Sequence, residues 1–362
     1  MNIDSPVTAV AMSGGLDSSM AAALLVEQGV DCIGIMMRLW SEQGPGIAST
    51  NKCCSADSVD VARTVADRLG MPFYLVNAEE PFRKAVVEPY IGGFDLGRTP
   101  NPCLNCNRRI RFDWLLRYAL GLGAERLATG HHARSRREAN GSYSLLRAVD
   151  PQKDQSYVLS VLTQRQLGHS LFPVGAYTKP ELRDMARQRD LPVADKQESM
   201  DLCFVADDDY RRFLEDWSPA PVQPGPIVTS EGDTVGTHQG LHRYTIGQRR
   251  GLDIPVHSRE PRYVIRKLPE ENALVIGNRS DLATLEFQVE ETNWIRRPHS
   301  SDSDLTCQIR YRGRDIPCAL EETGDNGVTV LLQEPQYGVA PGQAAVFYRG
   351  DECLGGGLIA SP

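Results

Sequence analysis

Ser13-Gly14-Gly15-Leu16-Asp17-Ser18-Ser19 lies between an apolar, strand-like run, Val7 to Met12, and a helix-like run that begins at Met20. This layout is typical of a phosphate-binding turn at a helix N-terminus. The two glycines allow backbone amides to face an anion, the serine hydroxyls add donors, and the helix dipole adds partial positive charge. The loop lacks the lysine that a Walker-type loop places before its Ser/Thr, which disfavours kinase-like handling of a γ-phosphate. The sequence therefore predicts a site for a nucleotide polyphosphate.

The composition is that of a soluble globular protein. At about 150 residues per domain, 362 residues indicate two or three domains. Hydrophobic residues make up 41% of the chain but form no stretch long enough to span a bilayer, and the first four residues do not resemble a signal peptide. Nine cysteines without an export signal favour a reducing compartment, so we expect a cytoplasmic protein with no membrane partner. The net charge of −8 means that any RNA surface must be built locally from arginine clusters.

Strand-like and helix-like runs alternate from the N-terminus to about residue 135. The predicted strands are Val7 to Met12, Cys32 to Met37, Phe73 to Val76 and Arg126 to Thr129. The predicted helices are Met20 to Glu27, Asp57 to Leu69 and Phe112 to Leu120. This alternation indicates an α/β fold with a doubly wound parallel sheet, in which ligands bind beyond the carboxyl ends of the strands. The phosphate-binding turn and Gly130 both fall at such ends.

A stretch rich in Pro and Gly, Ser218 to Pro226, follows a helix-like run, Tyr210 to Trp217, and marks a change of architecture. Beyond it the pattern is β, with short runs separated by Gly, Pro, Asn and Asp, as in small barrels. These runs are Tyr263 to Ile265, Leu274 to Ile276, Gln308 to Tyr311, Val328 to Leu332 and Ala345 to Tyr348. We therefore predict a catalytic domain over residues 1–206, a small β-rich central domain over 207–277 and a C-terminal β-barrel over 278–362.

The cysteines leave several chemistries open. Cys103 and Cys106 form a C-x2-C pair, and Cys203 lies about a hundred residues downstream. Zinc is disfavoured because no second pair with the usual spacing exists. Two alternatives remain: thiols that carry sulfur through persulfide and disulfide chemistry, or three thiolates that hold an iron–sulfur cluster. No role is assigned to Cys53-Cys54, and the strand-like setting of the other cysteines predicts core positions for Cys32, Cys307, Cys318 and Cys353.

The phosphate-binding turn resembles the PP-loop of ATP pyrophosphatases, and further motifs extend the resemblance along nearly the whole chain. The chain is identified by these motifs as a member of the bacterial-type tRNA-specific 2-thiouridylases, which thiolate the wobble uridine of certain tRNAs. The motifs are Ser13 to Ser18, Gly97 to Pro102 with Cys106-Asn107, Ala128 to His131, Lys153 to Tyr157, Leu171 to Gly175, Gly240-Leu241, Thr245 to Leu252, Arg310 to Arg312, Pro341 to Tyr348 and Leu354 to Gly357.

The resemblance implies that ATP is split between its α and β phosphates, after attack by the uridine 2-oxygen on the α-phosphorus. It places ATP on the turn, with Mg²⁺ near Asp17 and two residues near the adenosine. The implied nucleotide-binding residues are Ala11, Met12, Ser13, Gly14, Gly15, Leu16, Asp17, Ser18, Met37 and Gly130.

The resemblance also implies the sulfur chemistry. Cys203 would carry a persulfide, Cys106 would release its sulfur, and a Cys106–Cys203 disulfide would remain. An external reductant and a sulfur-donor protein, either a persulfide relay protein or a cysteine desulfurase, follow from this. Position 103 is a cysteine where relatives also have aspartate. The alternative is therefore a 4Fe–4S iron–sulfur cluster on Cys103, Cys106 and Cys203 that delivers sulfide without a persulfide.

The implied RNA partner is the anticodon stem-loop of tRNA. A target base must leave its stack to react, and Asn101, Pro102 and Cys103 would line its pocket. The other implied tRNA contacts are His131, Lys153, Asp154, Gln155, Arg310, Tyr311 and Gln343. Without the resemblance, His131 would be interpreted as a hydrogen-bonded histidine after a strand, and Tyr311 as a packed core residue. Two rival functions remain: a PP-loop small-molecule ligase, which would need no thiols, and a non-catalytic RNA-binding protein, which would not need Asp17 or the glycines.

Overall fold

The computed structural model describes residues 6–42, 55–196, 202–219, 222–252, 254, 261–298, 304–322 and 327–361. These residues form an N-terminal parallel sheet with helices, a small central sheet, and a C-terminal antiparallel barrel of six strands. The predicted fold class is confirmed. The Cys53-Cys54 pair lies outside the described residues. Within the described ranges, no helix combines the length and the apolar character that crossing a membrane requires.

The strands are β1 Val7–Met12, β2 Cys32–Arg38, β3 Phe73–Asn77, β4 Ala124–Ala128, β5 Ala133–Arg137, β6 Tyr143–Arg147, β7 Ser170–Leu171, β8 Gly225–Thr229, β9 Thr234–His238, β10 Tyr263–Leu268, β11 Ala273–Gly277, β12 Ala283–Trp294, β13 Leu305–Gln308, β14 Ile316–Glu322, β15 Val328–Tyr337, β16 Ala344–Arg349 and β17 Glu352–Ser361. The α-helices are α1 Leu16–Glu27, α2 Ala56–Arg68, α3 Glu79–Phe82, α4 Glu88–Asp95, α5 Pro102–Asn105, α6 Leu116–Gly121, α7 Ser156–Leu159, α8 Gln164–Gly168, α9 Lys179–Gln188 and α10 Tyr210–Trp217.

The first sheet has the strand order β3-β2-β1-β4-β7, and all of its pairings are parallel. Successive residues of its central strand β1 enter different apolar clusters, with Ala9 in one and Val10 in the other. Burial on both faces explains why β1 and β2 are largely apolar runs rather than alternating ones. The carboxyl ends of β1, β2 and β4 therefore meet at one edge, where a ligand site is expected.

Two helices differ from the prediction at their N-termini. Helix α1 begins at Leu16, one turn before the predicted Met20, so the polar end of the loop motif is already helical. The predicted helix Phe112 to Leu120 is the end of a longer helical run that starts at Pro102 and includes a π-helix, Cys106–Leu115. The spacing of apolar residues did not predict that the helical run starts at Pro102, because the polar segment Asn107-Arg108-Arg109 interrupts the apolar pattern.

The two β-rich regions form separate sheets. The central sheet has the order β10-β11-β8-β9. The C-terminal strands follow the order β12-β15-β14-β13-β16-β17, and pairing between β12 and β17 closes them into a barrel. Cys307, Cys318 and Cys353 lie buried in barrel strands, and Cys32 lies buried in β2, as predicted. The predicted strand Gln308 to Tyr311 is wrong: β13 ends at Gln308, and a turn follows in which Arg312 has a φ of +57°.

A hairpin from the N-terminal region joins the barrel sheet. Strands β5 and β6 pair with each other, and β6 pairs with β17 through Leu146 opposite Glu352 and Leu145 opposite Cys353. Tyr157 also donates a hydrogen bond of 2.9 Å from its hydroxyl to the Ala344 carbonyl in β16. The N-terminal region and the barrel are thus joined by backbone and side-chain hydrogen bonds.

The loop that precedes α5 is held between the central and C-terminal regions. The Thr99 amide donates to the Pro341 carbonyl at 2.8 Å, and Gly342, at a φ of +88°, packs so closely that a β-carbon there would lie 2.9 Å from the β-carbon of Arg98. On the other side, buried Lys267 of the central region donates from Nζ to the Arg98 carbonyl of the loop at 3.5 Å and to the Tyr244 carbonyl at 3.0 Å. Burial lowers the pKa of Lys267 from 10.5 to about 8.

This pKa predicts a pH dependence of stability. Between about pH 8 and pH 10 the unfolded chain keeps a proton that folded Lys267 loses, so the stability contributed by this residue rises with pH. We expect wild type to gain about 2 kcal/mol relative to Lys267→Met over that range. Urea unfolding of both proteins across the pH series measures this difference in the free energy of unfolding. Parallel stability curves for the two proteins would contradict the assignment.

Candidate active site

A cavity of about 190 Å³ opens at the carboxyl edge of the parallel sheet. Its walls come from the ends of β1, β2 and β4 and from the first turn of α1. The residues that line it are Ala11, Met12, Ser13, Asp17, Ser18, Met37, Leu39, Arg111, Thr129, Gly130, His131 and Gln155. Most of the predicted nucleotide-binding residues are among them. The other three, Gly14, Gly15 and Leu16, form the turn itself and the first residue of α1.

The turn is held by its own hydroxyl groups. The side chains of Ser13 and Ser18 lie 3.0 Å apart, and the hydroxyls of Ser18 and Ser19 both donate to the Gly15 carbonyl, at 3.2 and 2.9 Å. Gly14 has a φ of +67°, and a β-carbon there would lie 2.3 Å from the Ser58 carbonyl oxygen at the start of α2. Only glycine fits this position. Gly15, the N-cap residue of α1, provides no side-chain cap, and the first amides of a helix have no acceptor within the helix.

Asp17 is held by two partners from distant parts of the chain. Lys179 Nζ, at the first residue of α9, lies 2.7 and 2.8 Å from the two carboxylate oxygens, and His132 Nε2 lies 3.1 Å from one of them. Burial alone would raise the pKa of Asp17, but the His132 hydrogen bond and the Lys179 charge outweigh it, so the pKa lies below 3.8. Asp17 is therefore ionised, and the ammonium of Lys179 balances its negative charge.

His131 occupies the wall opposite this pair. Its side chain is buried, its Nδ1 lies 2.8 Å from the Thr129 hydroxyl, and its ring contacts Phe112 and Phe172. Burial, followed by the charge of Arg111, lowers the pKa of His131 well below 6.5. A neutral imidazole suits contact with a base or an adenosine better than contact with a phosphate.

Cys106 and Cys203 pack in the same apolar cluster. Cys106 begins the π-helix and is buried, whereas Cys203 is half-buried against the cluster that also contains Phe82, Phe204 and Phe213. Met37 and Leu39 belong both to this cluster and to the cavity wall. The two thiols, distant in sequence, thus belong to one apolar cluster, and two other members of that cluster line the nucleotide cavity. Cys103, one turn before Cys106, is exposed.

The chain beyond Cys203 is fixed by a buried carboxylate. Glu42, whose side chain is fully buried, accepts hydrogen bonds from both terminal nitrogens of Arg212 on α10, at 2.5 and 2.7 Å, and from Trp217 Nε1 at 3.2 Å. Burial would raise the pKa of Glu42, but these donors lower it overall. The ion pair anchors α10, and with it Phe204 and Val205, beside the end of β2.

The residues predicted to contact the target base lie at the end of the loop that precedes α5 and on α5 itself. The Asn101 side chain caps α5 by accepting from the Cys103 amide at 3.1 Å, and Pro102 is buried. Gln343, predicted as a tRNA contact, donates from its side-chain amide to the Thr99 carbonyl at 2.7 Å. Its side chain therefore holds the same loop.

A second cavity, of about 490 Å³, joins two other predicted tRNA segments. Asp154 and Tyr311 both line it, together with Arg147, Arg312 and Arg314. Asp154 is engaged internally, since its carboxylate accepts from the Ala148 amide at 2.8 Å and from the Ser156 hydroxyl at 2.7 Å. Tyr311 is 38% exposed, so it is not the core residue that its sequence setting favours.

The remaining predicted tRNA contacts lie near these two cavities. Gln155 belongs to the first cavity and accepts from the His132 amide at 2.9 Å. Lys153 is half-buried in the turn before it, and Arg310 is exposed. Three residues that contact the turn were not predicted, namely His132, Lys179 and Lys196. Their signal was absent from the sequence because their contacts with the turn are purely tertiary.

The Asp17 carboxylate and the cysteine thiols are the groups that could bind the implied metals. Asp17 supplies an ionised carboxylate to the cavity wall, as Mg²⁺ entering with nucleotide phosphates requires. The described residues contain no group of three His, Cys, Asp or Glu side chains placed to hold a metal ion.

Family models cover the chain almost end to end. The tRNA methyl transferase HUP domain matches residues 7–207, the tRNA methyl transferase PRC-barrel domain matches residues 211–278, and the aminomethyltransferase beta-barrel domain matches residues 284–359. Together with the phosphate-binding turn at the sheet edge, these matches define a nucleotide-binding protein of the HUP-domain class.

Curated relatives narrow the class to a family. The protein named tRNA-specific 2-thiouridylase MnmA of Chloroflexus aurantiacus is 47% identical over 98% of this chain and 98% of its own length. The protein of the same name from Geobacter metallireducens is 46% identical over 97% of this chain and 95% of its own length. The chain belongs to the tRNA-specific 2-thiouridylase family, which confirms the resemblance found in the sequence.

The Glu42–Arg212 pair predicts a large stability effect. Arg212→Ala leaves a buried carboxylate without its main partner, so we expect a loss of about 3 kcal/mol in the free energy of unfolding by denaturant. Arg189→Ala is the matched control, because its ion pair with Glu27 is partly exposed, with side-chain exposures of 25% and 47%. That control should lose less than about 1 kcal/mol. Equal losses in the two variants would show that Glu42 is not a buried anchor.

Proposed function

We propose that the protein catalyses the ATP-dependent 2-thiolation of the wobble uridine of tRNA. Family membership supports ATP-dependent tRNA thiolation as the reaction class. The observation that carries the mechanism is that Met37 and Leu39 belong both to the wall of the nucleotide cavity and to the apolar cluster that contains the two thiols. An activated base and a sulfur-bearing side chain would meet across this wall.

In the first step the uridine 2-oxygen attacks the α-phosphorus of ATP. The bond between the α-phosphorus and the bridging oxygen breaks, pyrophosphate leaves, and AMP remains on the base as a leaving group. Serine hydroxyls and the first amides of α1 face the departing charge, and such preorganised donors are often the largest catalytic contribution. Mg²⁺ bound with the phosphates would neutralise further charge, and Asp17 is the carboxylate placed to hold it. Lys179 must then share or yield one Asp17 oxygen.

In the second step a Cys203 persulfide supplies sulfur. Its terminal sulfur attacks C2 of the base, and AMP departs with the former uridine oxygen. The Cys106 thiolate then attacks Cys203 Sγ, the S–S bond breaks, and its electron pair stays on the sulfur now bonded to C2. A Cys106–Cys203 disulfide remains, and an external dithiol must reduce it. A sulfur-donor protein, either a persulfide relay protein or a cysteine desulfurase, must recharge Cys203.

The alternative sulfur route uses an iron–sulfur cluster on Cys103, Cys106 and Cys203. The different settings of Cys103, which is exposed, and Cys106, which is buried, favour the persulfide route.

The anticodon stem-loop would lie across the second cavity. Arg147, Arg312 and Arg314 give this cavity cationic groups, and half-exposed Tyr311 offers a ring for stacking. The target base would then turn toward Asn101 and Cys103 at the start of α5. Phosphate contacts of this kind position the RNA without reading its sequence.

The first test is the RNA dependence of pyrophosphate release. We expect pyrophosphate and AMP to form only with tRNA that carries the target uridine, and not with the same tRNA in which that uridine is replaced by cytidine. Quantifying pyrophosphate and thiolated tRNA together in a complete sulfur-donor system checks the stoichiometry. Release without RNA would favour a small-molecule ligase, and no release would favour a binding protein; either result would refute the proposal.

The second test separates the two sulfur routes. Cys106→Ala and Cys203→Ala should lower thiolation at least about a hundredfold while a first turnover still releases pyrophosphate. Under the persulfide route Cys103→Ala keeps thiolation activity, and protein purified without oxygen contains no stoichiometric iron. If Cys103→Ala is as inactive as the other two, and iron and sulfide are stoichiometric, the cluster route is correct instead.

A further inference from the structure

The phosphate-binding turn contains one acid and no lysine, although its implied product, pyrophosphate, is strongly anionic. Lys179 neutralises that acid, as described above. A second lysine, Lys196, approaches the turn from the opposite direction. Its Nζ lies 3.1 Å from the Gly14 carbonyl oxygen and 3.5 Å from the Ser58 hydroxyl.

The contact between Lys196 and Gly14 orients a backbone amide. The Gly14 carbonyl and the Gly15 amide belong to one planar trans peptide unit and point in opposite directions. Holding the carbonyl toward Lys196 therefore turns the Gly15 N–H away from Lys196. The next peptide is fixed in the same manner, because the Ser18 and Ser19 hydroxyls hold the Gly15 carbonyl and so orient the Leu16 amide. Two successive donors are thus fixed before a ligand arrives.

The position of Lys196 is itself supported. Arg183, on α9, donates to the Ala194 carbonyl at 3.0 Å and to the Lys196 carbonyl at 3.5 Å. Helix α9 also carries Lys179, so one helix fixes both lysines relative to the turn. The ion pair of Lys196 with Asp57 is long, at 3.8 Å, and Asp57 is 81% exposed, so that pair contributes little. The Gly14 carbonyl is the contact that gives Lys196 its role.

We propose that Lys196 is a positioning residue for pyrophosphate: its ammonium holds the Gly14–Gly15 peptide in the orientation that presents the Gly15 amide to the anion. The inference rests on the proposed function, since it assigns pyrophosphate to this turn. Substitution of Lys196 lowers affinity for pyrophosphate and for the β and γ phosphates of ATP, and leaves the adenosine end of the cavity unchanged.

The test compares two fragments of ATP by calorimetry on the full-length protein. Lys196→Met should weaken inorganic pyrophosphate binding about tenfold or more, while AMP binding stays within about twofold of wild type. Lys196→Arg, which keeps the charge and donors, should recover part of the pyrophosphate affinity. Lys84→Met is the matched control, because Lys84 is an exposed lysine paired with Glu80 on the helix surface. In pre-steady-state measurements of pyrophosphate release, Lys196→Met should also raise the ATP concentration that gives the half-maximal rate.

Each outcome decides between the alternatives. A merely structural role for Lys196 would weaken AMP and pyrophosphate binding together, and that result overturns the inference. Unchanged pyrophosphate affinity in Lys196→Met, with wild type binding pyrophosphate normally, also overturns it and leaves the proposed function standing. If wild type binds neither pyrophosphate nor AMP, the proposed function fails together with the inference. Thermal unfolding of each variant confirms that a folded protein was measured.

Discussion

The ion pair between Asp17 and Lys179 is the interaction on which the nucleotide site depends. Asp17 lies in the first turn of α1, where the helix dipole favours negative charge, yet an anionic phosphate needs the same place. Lys179 resolves this conflict because its ammonium contacts both carboxylate oxygens from 162 residues away. The pair also ties α9 to α1. The cavity therefore exists with its charge balanced before a ligand enters.

The other domains act on the site through the loop that precedes α5. Lys267 contacts this region from the central sheet, and Gly342 and Gln343 contact it from the barrel. Cys103 lies in α5, directly after this loop, and Cys106 begins the π-helix that follows α5. The position of the C-x2-C pair is thus set by all three parts of the chain. This arrangement gives the β-rich regions a structural role in positioning the two cysteines.

Local signals in the sequence were sufficient for the architecture. The phosphate-binding turn was predictable because Gly14 must adopt a positive φ, and the parallel sheet followed from apolar runs buried on both faces. The predicted strand Gln308 to Tyr311 was wrong because a turn with a positive φ at Arg312 ends the strand early. Family motifs, rather than spacing, supplied most of the site residues.

Tertiary contacts explain what the sequence did not reveal. Lys179, Lys196 and His132 reach the turn from sequence separations of 115 to 182 residues, and no periodic pattern marks them. Glu42 and Arg212 form their anchor across 170 residues in the same way. Such pairs depend on how helices pack against the sheet, which neither composition nor local propensity specifies.

The central claim is that ATP activates the base oxygen that sulfur replaces. The most direct measurement uses tRNA whose target uridine carries a heavy oxygen isotope at its 2-position, followed by mass spectrometry of the products. The account predicts that the label appears in AMP, because the uridine oxygen becomes bonded to the α-phosphorus before it leaves. Label found in water or in pyrophosphate, with AMP unlabelled, would contradict the account.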